Sequence, residues 1–299
     1  MNDPSSISQV LDVLRHTAAL NTLRVGGYFG NVVNNDFGDV VLTQLEAIEL
    51  ELTAEGAASL LCHITPSNNC SFYIDLALPS FGRFEENTNY LHSIIEHAKC
   101  FVGHNRPNCM MLDTTGGSFK IQFYATGIQG PKFVVDGFGS QQVIISLLEA
   151  FSLEEVSCFT EFYCHYYPAC IVLFEALATS LPNVGVLISN ERSFTCFFRT
   201  YFNQSERRSP ILFPLLHTIR LNALGVSYFY GSTQLIDVLK TLRDEGRPLN
   251  VFDTTEYRFD SDVHPLLTNL EDLAGLKVLW TPRGLGGTQQ YICGSIKSI

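Results

Sequence analysis

At 299 residues the chain exceeds the roughly 150 typical of one compact domain without clearly reaching two, which suits a single large or elongated domain. Hydrophobic residues make up 46% against 16% charged, and that much apolar side-chain area offsets ordering entropy and excludes global disorder. With 30 acidic and 19 basic residues the formal charge is -11, a field that repels phosphate backbones and anionic lipid, so neither nucleic acid nor a membrane is an expected partner.

The opening MNDPSSISQVLDVLR lacks the basic segment and apolar run of a signal peptide. The 9 cysteines fall without paired short spacings and read as reduced thiols, so the expected compartment is cytoplasmic or nuclear. Ile7, Val10, Leu11 and Leu14 make a first helical stripe. Leu20, Leu23 and Val25 follow, and recur as Leu45, Ile48 and Leu50, a step of about 25 residues that suits leucine-rich repeats. Written in full the motif is LxxLxxLxL, carried by Leu42, Leu45, Ile48 and Leu50. A helical pattern runs from Ala54 to Ile64, a strand-like CSFYIDL starts at Cys70, and a second helix is expected from Asn87 to Phe101. SFKIQFY at Ser118 and KFVVDGF at Lys132 are further strands by their β-branched and aromatic content.

A helix is expected from Gln141 to Phe151, and weaker copies of the spacing begin at Leu153 and at Leu181, on either side of a buried helix from Tyr167 to Leu181. The motif returns as Phe213, Leu216, Ile219 and Leu221, then after a stripe through Leu235, Ile236, Val238, Leu239 and Leu242 and a strand LNVFD at Leu249, as Leu270, Leu273, Leu276 and Val278. Four copies place a charge between the last two apolar positions: Arg24, Glu49, Arg220 and Lys277. One sheet face is therefore wet, unlike the doubly covered sheet of a wound nucleotide-binding fold. GFGS at Gly137 and GLGG at Gly284 complete no phosphate loop and read as turns.

The stretches Leu42 to Leu76 and Phe213 to Trp280, with FPLLHTIRL, LIDVLKTLRDEGRPLNVF and GLKVLW, resemble the leucine-rich-repeat region of F-box-like proteins of mushroom-forming, basidiomycete-type fungi. The resemblance implies an α/β leucine-rich-repeat solenoid, a horseshoe with a parallel concave sheet and outer helices. It also implies non-catalytic protein recognition by the substrate-binding region of a ubiquitin ligase adaptor, with a protein partner such as a ubiquitination substrate. The first residues pass straight into the first repeat, so a ligase linker subunit is expected as a partner only where an F-box is supplied elsewhere. The solenoid is expected to run from 1 to 283 as one continuous domain of about eight to ten coils, with 284 to 299 as a C-terminal tail.

Candidate chemistry is sparse. Cys100 beside His97 or His104, and Cys164 beside His165, place a thiol near an imidazole but read first as packed side chains. Cys158, Cys164 and Cys170 around His165 fit no common zinc spacing, and GxSxG, HExxH and SxxK are absent from the sequence. The acidic pairs Glu154 with Glu155 and Asp260 with Asp262 read as solvated. No catalytic residue, metal or cofactor is implied. The alternative is an α/β enzyme, hydrolase-like, with an unrecognised site in a crevice at the carboxyl ends of the strands.

For a binding surface, alternation places Arg24, Glu49, Tyr73, Lys120, Arg220 and Lys277 on the concave face. The aromatic runs Phe159 to Tyr167 and Phe197 to Phe202 pack between coils or form a rim, with Arg199, Tyr201 and Phe202 as its best members. Ile48, Leu50, Ile219, Leu221, Leu276 and Val278 are expected in the core.

Overall fold

The computed structural model describes the chain outside residues 1–6, 28–37, 77–90, 115–117, 127–129, 139–140, 152, 163–170, 205–210, 224–232, 260–263, 283–286 and 296–299. Cys164, His165 and Cys170, the aromatic run beyond Phe162, Asp260 with Asp262, and Gly284 lie outside the described residues. Internal contacts divide the chain into two compact units, Met1–Glu155 and Val156–Ile299, where the sequence suggests one run to 283. Each is α/β with a mostly parallel sheet.

The first unit opens with α1 (Ile7–Arg15), β1 (Thr22–Gly26), β2 (Val40–Leu42), β3 (Ala47–Leu52), α2 (Ala54–Leu61), β4 (Ile64–Pro66) and β5 (Ser71–Leu76). It continues with α3 (Leu91–Asn105), β6 (Cys109–Asp113), β7 (Ser118–Tyr124), β8 (Phe133–Phe138) and α4 (Gln141–Glu149). Its main sheet runs β1-β3-β5-β8-β7-β6. β1, β3, β5 and β8 are parallel neighbours, whereas β7 is antiparallel to both β8 and β6. The expected all-parallel sheet is therefore corrected at SFKIQFY, which together with β6 forms an antiparallel hairpin. The short β2 and β4 pair separately, in parallel.

Register explains why this sheet holds. Leu23, Ile48, Phe72, Phe133, Phe123 and Met110 form one row across six strands, all buried. The row formed by Leu52, Leu76, Gly137 and Phe119 includes a glycine because Leu76 Cβ lies 3.0 Å from where a Gly137 Cβ would stand, with Phe119 at 3.6 Å. Gly137 is thus a strand residue at a close approach, not the turn that GFGS suggests. Helix α2 starts where Thr53 accepts a hydrogen bond from the Gly56 N–H at 3.2 Å, an N-cap that satisfies a donor left orphaned by the first turn.

The second unit contains β9 (Cys158–Phe162), α5 (Ile171–Ser180), β10 (Val186–Ser189), α6 (Glu191–Gln204), β11 (Thr218–Leu221) and α7 (Thr233–Asp244). Then come β12 (Val251–Phe259), α8 (His264–Leu270), β13 (Lys277–Pro282) and β14 (Gln289–Ile292). Five strands add in chain order, β9 to β13, all parallel, and β14 closes the edge antiparallel to β13. The segment read as a tail thus contributes a strand.

A backbone motif repeats at each strand entrance. The carbonyls of Ser157, Gly185 and His217 each accept from two successive N–H groups of the following coil: Gly185 and Val186, His217 and Thr218, Asn250 and Val251. In the first unit Asn21 does the same for Glu46 and Ala47.

All twelve positions of the three full LxxLxxLxL copies are buried, and so are the six expected core residues. Because Leu221 is fully buried on a central strand, Leu221→Ala should cost about 2–5 kcal/mol through lost transfer energy and a residual cavity. Val41→Ala, at a side chain 60% exposed, should change stability by under about 0.5 kcal/mol. Urea denaturation of both variants checks this.

Candidate functional site

Strand alternation that buries one face of the first unit's sheet turns the other outward. Arg24, Glu49 and Tyr73 stand in one register row and continue into Val134, Gln122 and Met111. One step along the strands, Glu51, Asp75, Asp136, Lys120 and Asp113 form a second row. Among the sequence-derived binding residues, Arg24, Glu49, Tyr73 and Lys120 are therefore brought onto one face. Glu51 and Asp75 lie two residues beyond Glu49 and Tyr73 on the same strands and were overlooked although the same alternation places them on this face, whereas Asp136 was missed because pairing β5 with β8 skips over β6 and β7 in the chain.

Lys120 organises the centre of this face. Its Nζ lies 3.6 Å from Asp136 and 5.5 Å above the Tyr73 ring, whose residue is 40% exposed. Arg24 and Glu49 approach to 3.6 Å, but both are well exposed and such pairs contribute under about 1 kcal/mol. The Asp75 carboxyl is pushed above the ordinary carboxylate range, first by partial burial, then by the negative charges of Asp136 and Glu51, with Lys120 acting in the opposite direction.

The other two expected concave residues belong to the second unit. Arg220 is tied at 2.9 Å to Asp253, whose other oxygen accepts from the Thr255 N–H and hydroxyl, so this cation is held within its own sheet. Lys277 lines up with Val251 and Thr218, one step away from the row of Arg220, Asp253 and Leu279. The aromatic rim is corrected. Tyr201 is buried, its hydroxyl accepting from the Leu212 N–H at 3.3 Å, and its ring packs at 5.6 Å from Phe174 and 5.5 Å from Phe202. Phe194, Phe197, Phe198 and Tyr201 are all buried on α6, because their i, i+3, i+4, i+7 spacing is a helical stripe. Of the three rim residues only Arg199 is exposed.

The fourth motif position turns polar in the two weaker copies, giving Glu161 and Ser189, which pair directly in register. The Ser189 hydroxyl donates to Glu161 Oε2 at 3.1 Å, with both residues buried. Cys100 is exposed, while both ring nitrogens of His97 face carbonyl oxygens, of Ser93 at 3.0 Å and Ile64 at 3.2 Å. The His104 Nδ1 lies at 2.8 Å from the Cys100 carbonyl oxygen. The hydrogen-bond partners of both imidazoles are backbone carbonyls, not the Cys100 thiol. They line a cavity of ≈ 300 Å³ between α2, β4 and α3, with Phe72 and Phe101 among its walls. Among the described residues no group of three or more His, Cys, Asp or Glu is placed to hold a metal, and no helix is long and apolar enough to cross a membrane.

No family model, curated protein or solved structure matches the chain.

A raised carboxyl pKa means that folding favours the protonated form, so the Asp75 contribution is full at acid pH and fades as pH rises through the folded pKa. Asp75→Asn should accordingly stabilise the protein at pH 7 by roughly 0.5 kcal/mol, screening holding it to a surface-scale value, and should leave stability at pH 3 unchanged. Thermal melts at the two pH values test the sign.

Proposed function

We propose that the protein is a leucine-rich-repeat type recognition module that binds another protein on the open sheet face of its first unit. The observation that carries this reading is that face itself, on which a half-exposed tyrosine and two register rows of charged residues stand together on contiguous strands. Repeat proteins use such sheet faces as extended binding surfaces. Stepwise addition of parallel strands in the second unit, and the recurring strand-entrance hydrogen bonds, support the repeat reading.

A solvated face is stable without a partner, because its charges keep most of their hydration, so recognition there needs no refolding. The role of substrate receptor in a ubiquitin ligase extends the proposal on the sequence resemblance to F-box-like repeat regions. Cullin-ligase subunits co-purifying with the native protein would support it, and their absence beside a recovered partner would leave a stand-alone binder.

The face is tested by placing a photo-crosslinking amino acid at Tyr73, with Val13 on α1, 62% exposed, as the comparison site. Adducts with a defined partner should concentrate at the Tyr73 position, whereas equal yields from both positions would overturn the assignment.

A further inference from the structure

The two rows on the first unit's open face carry five carboxylates, Glu49, Glu51, Asp75, Asp113 and Asp136, against two cations, Arg24 and Lys120. Neighbouring strands stand about 4.8 Å apart, so Glu51, Asp75 and Asp136 form a short ladder of negative charge across β3, β5 and β8. Neither Glu51 nor Asp75 takes part in a salt bridge among the described residues. Beside this ladder stands the exposed ring of Tyr73.

The face already shows how it holds an ammonium group. Lys120 Nζ is shared between the Asp136 carboxylate at 3.6 Å and the Tyr73 ring at 5.5 Å, combining ion pairing with attraction to the ring quadrupole. That lysine is one cation beside the three carboxylates of the ladder, Glu51, Asp75 and Asp136. The remaining charge is satisfied by water, or by a partner that brings cations of its own.

Building on the reading of this face as a protein-binding surface, we propose that the partner engages it through an exposed segment rich in arginine or lysine, with its cationic heads over Glu51, Asp75 and Asp136 and one of them against Tyr73. The Asp75 carboxyl is raised first by partial burial, and the negative charges of Asp136 and Glu51 add to it against the opposing pull of Lys120. Lys120 is then an internal competitor for the same carboxylates, and removing it should strengthen binding.

The test uses the full chain and two labelled decapeptides, one of alternating Arg and Ser and one of alternating Glu and Ser, read by fluorescence anisotropy at low and moderate salt. The arginine peptide should bind, more weakly as salt rises, and the glutamate peptide should not. Asp75→Asn with Asp136→Asn should weaken binding about 3- to 10-fold, as two partly exposed pairs are lost. Removing like charges also leaves this variant no less likely to fold. Lys120→Gln should tighten binding roughly 2-fold. Lys99→Gln removes the same unit of charge on the outer side of α3, where Lys99 pairs with Glu96 at 2.8 Å, and should change nothing. Equal binding of the two peptides, an unaltered affinity in the double variant, or the same gain from Lys99→Gln as from Lys120→Gln would each overturn the proposal. These outcomes separate from failure of the face itself: adducts at the Tyr73 position with failed peptide results would retain the face and reject the cationic partner.

Discussion

Everything else in this molecule depends on the lateral stacking of like side chains along strand registers. In the second unit Phe159, Leu187, Ile219, Phe252 and Val278 make one fully buried row, and burying each such side chain stabilises by roughly 1.5–3 kcal/mol relative to leaving it in water. Because the side-chain period is two, a one-residue slip would put this row into solvent and draw Arg220 and Asp253 inward. The hydrophobic term therefore fixes the register, and the register in turn decides which charges share a face. The doubled acceptance by Ser157, Gly185 and His217 ties each coil to the next at the same point, so backbone and side chains select the same alignment.

Two residues put polar groups into the neighbouring buried row, and their chemistry shows how narrow the tolerance is. Glu161 and Ser189 stand in register with Leu221, at the motif position that carries Leu50 in the first unit. A carboxylate removed from water is destabilising unless hydrogen bonded, and the Ser189 hydroxyl supplies such a bond at 3.1 Å. Both substitutions come in adjacent strands, so each makes the other acceptable. An isolated one would leave a polar group facing leucine. That mutual requirement gives the pair a structural role which needs no ligand.

The positions of the three full LxxLxxLxL copies were readable from the sequence because each is set by local periodicity, and all twelve are buried. Helices α1, α2, α4 and α7 were readable for the same reason. What escaped depends on distance or on context. The β6–β7 hairpin lies between β5 and β8 in the chain but outside that pairing in the sheet, and period-two alternation is identical for parallel and antiparallel strands. Helix α6 is dense in Phe and Tyr, types that favour strands when read by propensity alone, yet its 3.6-residue stripe overrides that preference once packed against Phe174 and Arg247. Gly137 looks like any loop glycine until Leu76 and Phe119 are seen to fill its side-chain space. Part of the face was legible, since Arg24, Glu49 and Tyr73 follow from consecutive parallel strands and Lys120 from alternation within its own strand, whereas Asp136 reaches them only through a pairing that local sequence does not encode.

The division of labour between the faces follows from the same energetics. On the buried face each residue is constrained by volume, and a lost methylene group is felt at the scale of a kcal/mol. On the open face a charge reversal between solvated side chains changes stability by a fraction of that. Charge on the open face is therefore nearly independent of folding, and the carboxylates of Glu51, Asp75 and Asp136 can accumulate there at little expense to the core rows behind them. Partial burial first, and their mutual repulsion second, raise the pKa of Asp75, while β3, β5 and β8 remain in continuous register through all three positions. A rigid backbone that holds like charges at strand spacing without yielding presents them in fixed geometry, and fixed geometry lowers the ordering entropy that a partner must overcome on binding.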